Sequence, residues 1–264
     1  MQPDQMQLDE SGKISLDHIY TAPDPRTYFS TLRGLDYHIP QLAKAHFTRL
    51  MERCGADRVL DIGCSYGINA ALLRCDATMD ELYARYQADD RPRAELVRAD
   101  RELVRERGRD VFFAGLDASL PALRYATEVG FLDAAVHADL EANEPTAEQR
   151  ALFDSVGLVV STGCVGYITE ATLARVAGER LPWMAHFVLR MFPFAPVADR
   201  LDALGYETEV VDHMFPQRRF ASDAEREQVL DTLAQVGVDP TGWETEGWLH
   251  ARLHISRPRA RVSA

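Results

Sequence analysis

The side chains best placed by type and spacing to do chemistry begin in residues 59–73. Val59, Leu60 and Ile62 make an apolar strand interrupted by one carboxylate, Asp61, and the strand runs into a turn flanked by Gly63 and Gly67 before a helical pattern. Glycines there permit turn conformations and close approach of a ligand, and the helix that follows offers unpaired N–H groups at its start. A carboxylate in a strand otherwise suited to full burial is costly unless a donor or a ligand bonds to it. Later strands also end on polar groups. Asp117 closes an apolar run at 111–117, Asp139 follows one at 134–138, and Ser161 and Thr162 follow one at 153–161. Tyr167 and His213 are the candidate general bases near strand ends, with Tyr37 and His38 from the N-terminal region. Arg190 could pair with a carboxylate or snorkel to solvent.

These groups need a scaffold of alternating strands and helices. Thr78-Met79-Asp80-Glu81 is a capping-box pattern that starts a helix to about Gln87. A second helix follows Pro92, with a narrow apolar stripe of Leu96, Val97, Leu103 and Val104. Ser119, Thr169 and Ser222 cap later helices, and further strands are expected at 183–192, 207–214 and 248–255. Such alternation implies a parallel sheet covered on both faces. Asp117 lies far beyond the roughly 20 residues that usually separate the glycine turn from the acid of the next strand, and the helical insertion 76–110 accounts for the excess. Residues 1–15 are polar and expected to be a disordered tail. The segment 16–52, rich in tyrosine and phenylalanine, is expected to be a helical cover or a lid over the ligand, and 53–258 the ligand-binding domain. The fold expected is α/β: a doubly wound, mostly parallel seven-stranded sheet with helices on both faces, the N-terminal lid and the insertion.

Composition narrows the partners. The chain has 264 residues, 46% of them hydrophobic, enough for one sizeable core. A net charge of −12 repels phosphate backbones, so no nucleic-acid partner is expected. No apolar run approaches a membrane span and no export signal is evident, so no membrane partner is expected either. The four cysteines form no C-x-x-C pair, as suits reduced thiols in a cytoplasmic protein. No metal site is expected. His250 and His254 lie in a strand-like segment, where four residues of rise separate them by roughly 13 Å.

The glycine turn can be read in three ways. A dinucleotide fingerprint fails because Ser65 and Ile68 occupy the second and third glycine positions. Gly63-x-Ser65-x-Gly67 matches the nucleophile elbow of serine hydrolases, with Ser65 as nucleophile, although Asp61 sits oddly in that strand and no His-Gly-Gly segment precedes it. A strand ending in an acid and then G-x-G-x-G resembles the first motif of class I (Rossmann-like) S-adenosylmethionine (SAM)-dependent methyltransferases, with Ser65 replacing the middle glycine.

That resemblance extends over most of residues 59–255 and implies a set of roles. Asp61, Gly63, Ser65 and Gly67 would line the methionine moiety of SAM, and Asp117 would accept bonds from both ribose hydroxyls. Ala118 would flank the adenine, Asp139 and Leu140 would bond its edge, and Ser161 and Thr162 would lie beneath the sulfonium. Tyr28 and Arg33 are the choices for the carboxylate end. Ser161-Thr162-Gly163-Cys164 is neither the Asn/Asp-Pro-Pro-aromatic tetrad of nucleic-acid amino-methyltransferases nor the aspartate of metal-dependent catechol enzymes. The implied activity is transfer from SAM, leaving S-adenosylhomocysteine (SAH), to an O or N atom of a small metabolite, by a monomer or homodimer. The alternatives are the hydrolase, and a SAM-binding protein repurposed for regulation or non-methylating chemistry.

Overall fold

The computed structural model describes residues 8–9, 11–87 and 90–260. At its centre the apolar run of the glycine-turn segment forms β1 (Arg58–Ile62), whose alternate side chains enter two cores: Val59 one, Leu60 and Ile62 the other. Before it come α1 (Asp17–Tyr20), α2 (Arg26–Arg33) and α3 (Ile39–Cys54). After it the chain runs through α4 (Ile68–Arg74), α5 (Met79–Tyr86), α6 (Arg93–Arg107), β2 (Phe112–Leu116), α7 (Leu120–Val129), β3 (Ala134–Val136), α8 (Ala147–Phe153) and β4 (Leu158–Thr162). The rest is α9 (Glu170–Ala177), β5 (Trp183–Leu189), α10 (Ala195–Ala203), β6 (Tyr206–Val210), β7 (Phe215–Arg219), α11 (Asp223–Gln235) and β8 (Trp248–Pro258).

The sheet order is β3-β2-β1-β4-β5-β8-β6. The first five strands are parallel and β8 runs antiparallel beside β5 and β6. This is the expected doubly wound sheet with one addition. β7 pairs with the start of β8 through a bulge between Pro216 and Arg218, making an eighth strand that Pro216 and two arginines disguise in the sequence. Helices cover both faces. Side chains of α3 to α7 fill the core on the Val59 side, and Phe153, Leu173, Val176, Val197 and Leu201 from α8, α9 and α10 fill the other.

Local capping follows the sequence. Thr78 and Glu81 exchange both bonds of the capping box, and Ser119 and Thr169 accept first-turn N–H groups. Ser222 also caps, but Glu225 does not reach back to it; it binds Arg218 and the N–H groups of Ala221 and Ile14. The insertion is part of the core. Tyr86 of α5 stacks on Phe29 of α2 at 4.6 Å, Leu96 of α6 is fully buried, and the hydroxyls of Tyr86 and Tyr125 both donate to the buried Asp100 carboxylate.

The expectation of a disordered tail over 1–15 needs correction where the chain is described, residues 1–7 and 10 lying outside the described residues. Leu8 bridges to Ile14 around a turn in which one Asp9 oxygen accepts from the Ser11 and Lys13 N–H groups. Polarity suggested disorder, but aspartate, serine and glycine at this spacing build a side-chain-stabilised turn. Glu225, far along the chain, accepts from Ile14 N–H at 2.8 Å and docks it. Among the described residues no helix is long and apolar enough to cross a membrane, and no group of three His, Cys, Asp or Glu could hold a metal ion.

Candidate functional site

A cavity of about 790 Å³ opens beyond the carboxyl ends of the parallel strands. Its floor is Gly63 and Ser65 after β1, Asp117 after β2, and Thr162, Gly163 and Cys164 at the end of β4. β1 lies between β2 and β4, so this is the point where strand order reverses, the usual ligand position in open α/β sheets. Tyr20, Tyr28, Leu32 and Tyr37 form a roof from α1, α2 and the loop after them. One end is closed by Asp9, Lys13, Tyr167, Phe192, Gln217 and Arg218.

Asp117 faces this space from the end of β2. It accepts N–H bonds from Ser65 at 2.8 Å and Ser119 at 2.7 Å, which fix the carboxylate across the glycine turn. Burial raises its pKa, opposed by those bonds. The turn itself is tight. Gly63 has φ +68°, and a Cβ there would come within 2.6 Å of the Cys164 side chain, so the close approach that requires glycine is to the β4 loop. Ser65 also has positive φ, +50°.

Asp61 is not on the cavity surface. It is fully buried behind it; Oδ1 accepts from Asn69 Nδ2 at 3.0 Å, and that amide also donates to Thr162 Oγ1, on the cavity wall, at 3.2 Å. Its other oxygen has no partner among the described residues, and burial pushes its pKa up to about 8, with the Asn69 bond opposing and Asp117 adding. Asp61 therefore supports the wall through Asn69 rather than lining it.

The other assigned positions divide. Gly63, Ser65, Asp117, Tyr28 and Tyr167 come together at the cavity. Gly67, the N-cap of α4 with φ +77°, shapes the turn from outside the lining. Ser161 is fully buried with Oγ 2.8 Å from His186 Nδ1; strand alternation turns it away, and Thr162 takes its place. Ala118 and Asp139 are exposed outside the lining. The Ala118 carbonyl meets His137 Nε2 at 3.0 Å, and Asp139 caps the N–H groups of Glu141 and Ala142. Leu140 is buried in the core with Phe153.

Three assignments are corrected. Arg33 is exposed on α2 with its guanidinium over the Tyr83 ring, because it follows Leu32 onto the opposite side of the helix. His213 is exposed in the turn between β6 and β7, its ring 4.6 Å from that of Phe215, at the edge of the sheet rather than at the cavity. Arg190 is spent in a buried ion pair with Glu244. Tyr167 does reach the cavity, but its hydroxyl donates to Asp9 at 2.6 Å, and burial together with that carboxylate raises its pKa, so it keeps its proton. The hydrolase reading also fails. Among the described residues Ser65 Oγ has no hydrogen-bond partner and no histidine lines the cavity, so no base is bonded to it.

Sequence reasoning missed Lys13, Asp9, Gln217 and Arg218. Its one available signal was the Asp9-Glu10-Ser11-Gly12 turn string, which local chemistry favours for a fixed turn.

No family model and no curated protein matches the sequence. Among solved structures it is similar to EvdMO1 (15% identity over 83% of this chain, TM-score 0.45), of which it spans only 41%. It is also similar to the plantazolicin methyltransferase BpumL in complex with a triazolic desmethylPZN analog and SAH, at 12% identity, 92% of this chain, 95% of that one and TM-score 0.46. A third is a TehB-like SAM-dependent methyltransferase from Corynebacterium glutamicum, at 16% identity, 80% of this chain, 86% of that one and TM-score 0.40. By its own strand order and antiparallel ending, the chain has a doubly wound, Rossmann-like α/β fold.

Proposed function

We propose that the protein is a SAM-dependent methyltransferase acting on an O or N atom of a small-molecule metabolite. The observation that carries this reading is Asp117, a carboxylate fixed at the end of β2 by the N–H of Ser65 and turned into a cavity beyond the strand ends. The residues present fit the group. Among the described residues the Asp117 oxygens accept from the Ser65 and Ser119 N–H groups, one each, which leaves lone pairs for a vicinal diol. Ser65 Oγ is a buried hydroxyl at the cavity with no protein partner. The Asp117 carboxylate at the cavity favours a cationic ligand electrostatically.

When bound, SAM supplies a methyl group already activated on a sulfonium. The chain's part is then chiefly positional. Asp117 holds the ribose, the Gly63 turn seats the methionine portion, and Thr162, braced through Asn69 by Asp61, holds the wall beneath the reacting centre. Orienting an acceptor atom in line with the methyl can contribute ~7–11 kcal/mol. The tyrosine roof limits water access to the cavity, whose lining mixes aromatic rings with polar and charged side chains. On this reading α1 and α2, which supply Tyr20, Tyr28 and Leu32 to the lining, cover the ligand, whereas no residue of α3 lines the cavity.

Calorimetry and thermal shift with SAM and SAH test the cofactor. A ligand at 100 times its Kd should stabilise the protein by about 2.7 kcal/mol. Absence of both heat and shift with either ligand would overturn the reading, and a screen for labelled methyl transfer into small-molecule extracts tests the acceptor class.

A further inference from the structure

The end of the cavity away from Asp117 holds two cations among the described residues, and they are not equivalent. Arg218 is neutralised: its guanidinium binds Glu225 through two bonds, at 2.9 and 2.6 Å. Lys13 is not. Its residue is only 6% exposed, and its ammonium makes no hydrogen bond or ion pair with any described residue. Its nearest electrostatic partners are ring faces, Tyr167 at 4.1 Å and Phe192 at 5.1 Å from the centroids.

We propose that this end of the cavity binds the carboxylate of the acceptor substrate, with Lys13 as its ion-pair partner. The substrate class is a small carboxylic acid whose hydroxyl or amine, at its other end, receives the methyl group; this rests on the methyl-transfer reading above.

The position of Lys13 is built. On one side, Asp9 closes the turn by accepting from the Lys13 N–H and donating its own N–H to the Lys13 carbonyl. On the other, Ile14 N–H is held by Glu225. The rings beneath the ammonium are also fixed. Tyr167 is tied to Asp9, and Phe192 lies so close to Gly166 that a Cβ there would meet the ring at 2.3 Å.

The carboxylates facing Lys13 are bonded to other groups rather than to its ammonium, and Asp17 also lines the cavity. Asp9 favours the ammonium, but its oxygens are occupied by Ser11 and Lys13 N–H and by the Tyr167 hydroxyl. Glu225 favours it too but is engaged by Arg218, while Arg218 itself opposes it; Cys164, holding its proton, has a pKa raised to about 12. Burial is the largest influence and takes the Lys13 pKa down to about 8. A carboxylate entering the cavity would favour the charged form again. Geometry separates this end from the cofactor's anchors. Tyr167 and Phe192 follow β4 and β5, whereas the Gly63 turn and Asp117 follow β1 and β2.

The chain has only two lysines, Lys13 and Lys44, so protein labelled with 13C at lysine Cε gives two resonances whose pH titrations can be followed separately. Lys44, paired with Asp76, is the internal reference. The probes are 4-hydroxyphenylacetate and its uncharged amide, each with and without saturating SAH. The acid should raise the Lys13 midpoint by about one pH unit, a tenfold coupling, while the amide and SAH alone leave it in place. Lys13→Met should abolish the preference for acid over amide and retain SAH affinity. The proposal is overturned if acid and amide act alike, if the acid has no effect, or if SAH alone moves the midpoint, which would assign Lys13 to the cofactor's own carboxylate. Failure of SAH to bind would strike the cofactor reading, and the acid titration without SAH would still decide the Lys13 assignment.

Discussion

Replacing Asp61 by asparagine should make stability less dependent on pH while keeping the local geometry. Asp61 is fully buried, with one bond from Asn69 and an unpartnered Oδ2 among the described residues. Burial raises its pKa to about 8 from 3.8, against the Asn69 bond and with a smaller push from Asp117. Between those two values the folded protein keeps a proton that the unfolded chain has released. The associated stability is fully present below the unfolded pKa and is lost as pH rises through the folded one. At 1.36 kcal/mol per pH unit for one proton, the loss between pH 5 and pH 7 is about 2.7 kcal/mol. Asparagine accepts the same Asn69 bond and never ionises. Urea denaturation of both proteins at pH 5, 6 and 7 should therefore show Asp61→Asn gaining on the wild type by about 2.7 kcal/mol across the series. The comparison cancels other titrating acids, notably Asp117, Asp100 and Glu244, whose pKa values are also raised chiefly by burial. Parallel stability curves would mean that Asp61 is ionised in the folded protein throughout, and the reasoning from burial would fail.

Asp117→Ala should weaken SAH binding, read by calorimetry, by about 1.5–3 kcal/mol for each ribose bond lost, or roughly 10- to 150-fold per bond. Unchanged affinity would remove Asp117 from the site. Ser65→Ala should weaken SAH binding by about 0.5–1.5 kcal/mol, one neutral hydrogen bond, and neither protein should be labelled by a fluorophosphonate; labelling of the wild type alone would restore the hydrolase. Asp100→Ala leaves the hydroxyls of Tyr86 and Tyr125 without their shared acceptor and should cost about 1–3 kcal/mol for each. A single unfolding transition at lower denaturant would fit an insertion that shares the core, whereas unaltered stability would mark it as a separate appendage.

How much could be read in advance depended on whether a feature was local. β1, β2, β4 and β5 are buried on both faces, so they read as continuous apolar runs, and the acids and glycines at their ends fall where the sheet positions them. The same double burial hid which of Ser161 and Thr162 faces the cavity, because no polar alternation marks the two sides. β7 was illegible for a related reason. Gln217 and Arg218 look like surface residues but are buried, and the partner that makes this tolerable for Arg218 is Glu225 on the next helix. That carboxylate also anchors Ile14, 211 positions earlier, and so holds Lys13 at the cavity. A buried ion pair of this kind loses heavily when one partner is removed, since the other charge is left unpaired. Glu225 thus couples β7, the N-terminal turn and the cation facing the cavity in one tertiary arrangement. Strand and helix periodicity report only on neighbours within a few residues. They could locate the acid and glycines at the cavity floor, but not the lysine that a distant carboxylate helps hold at its end.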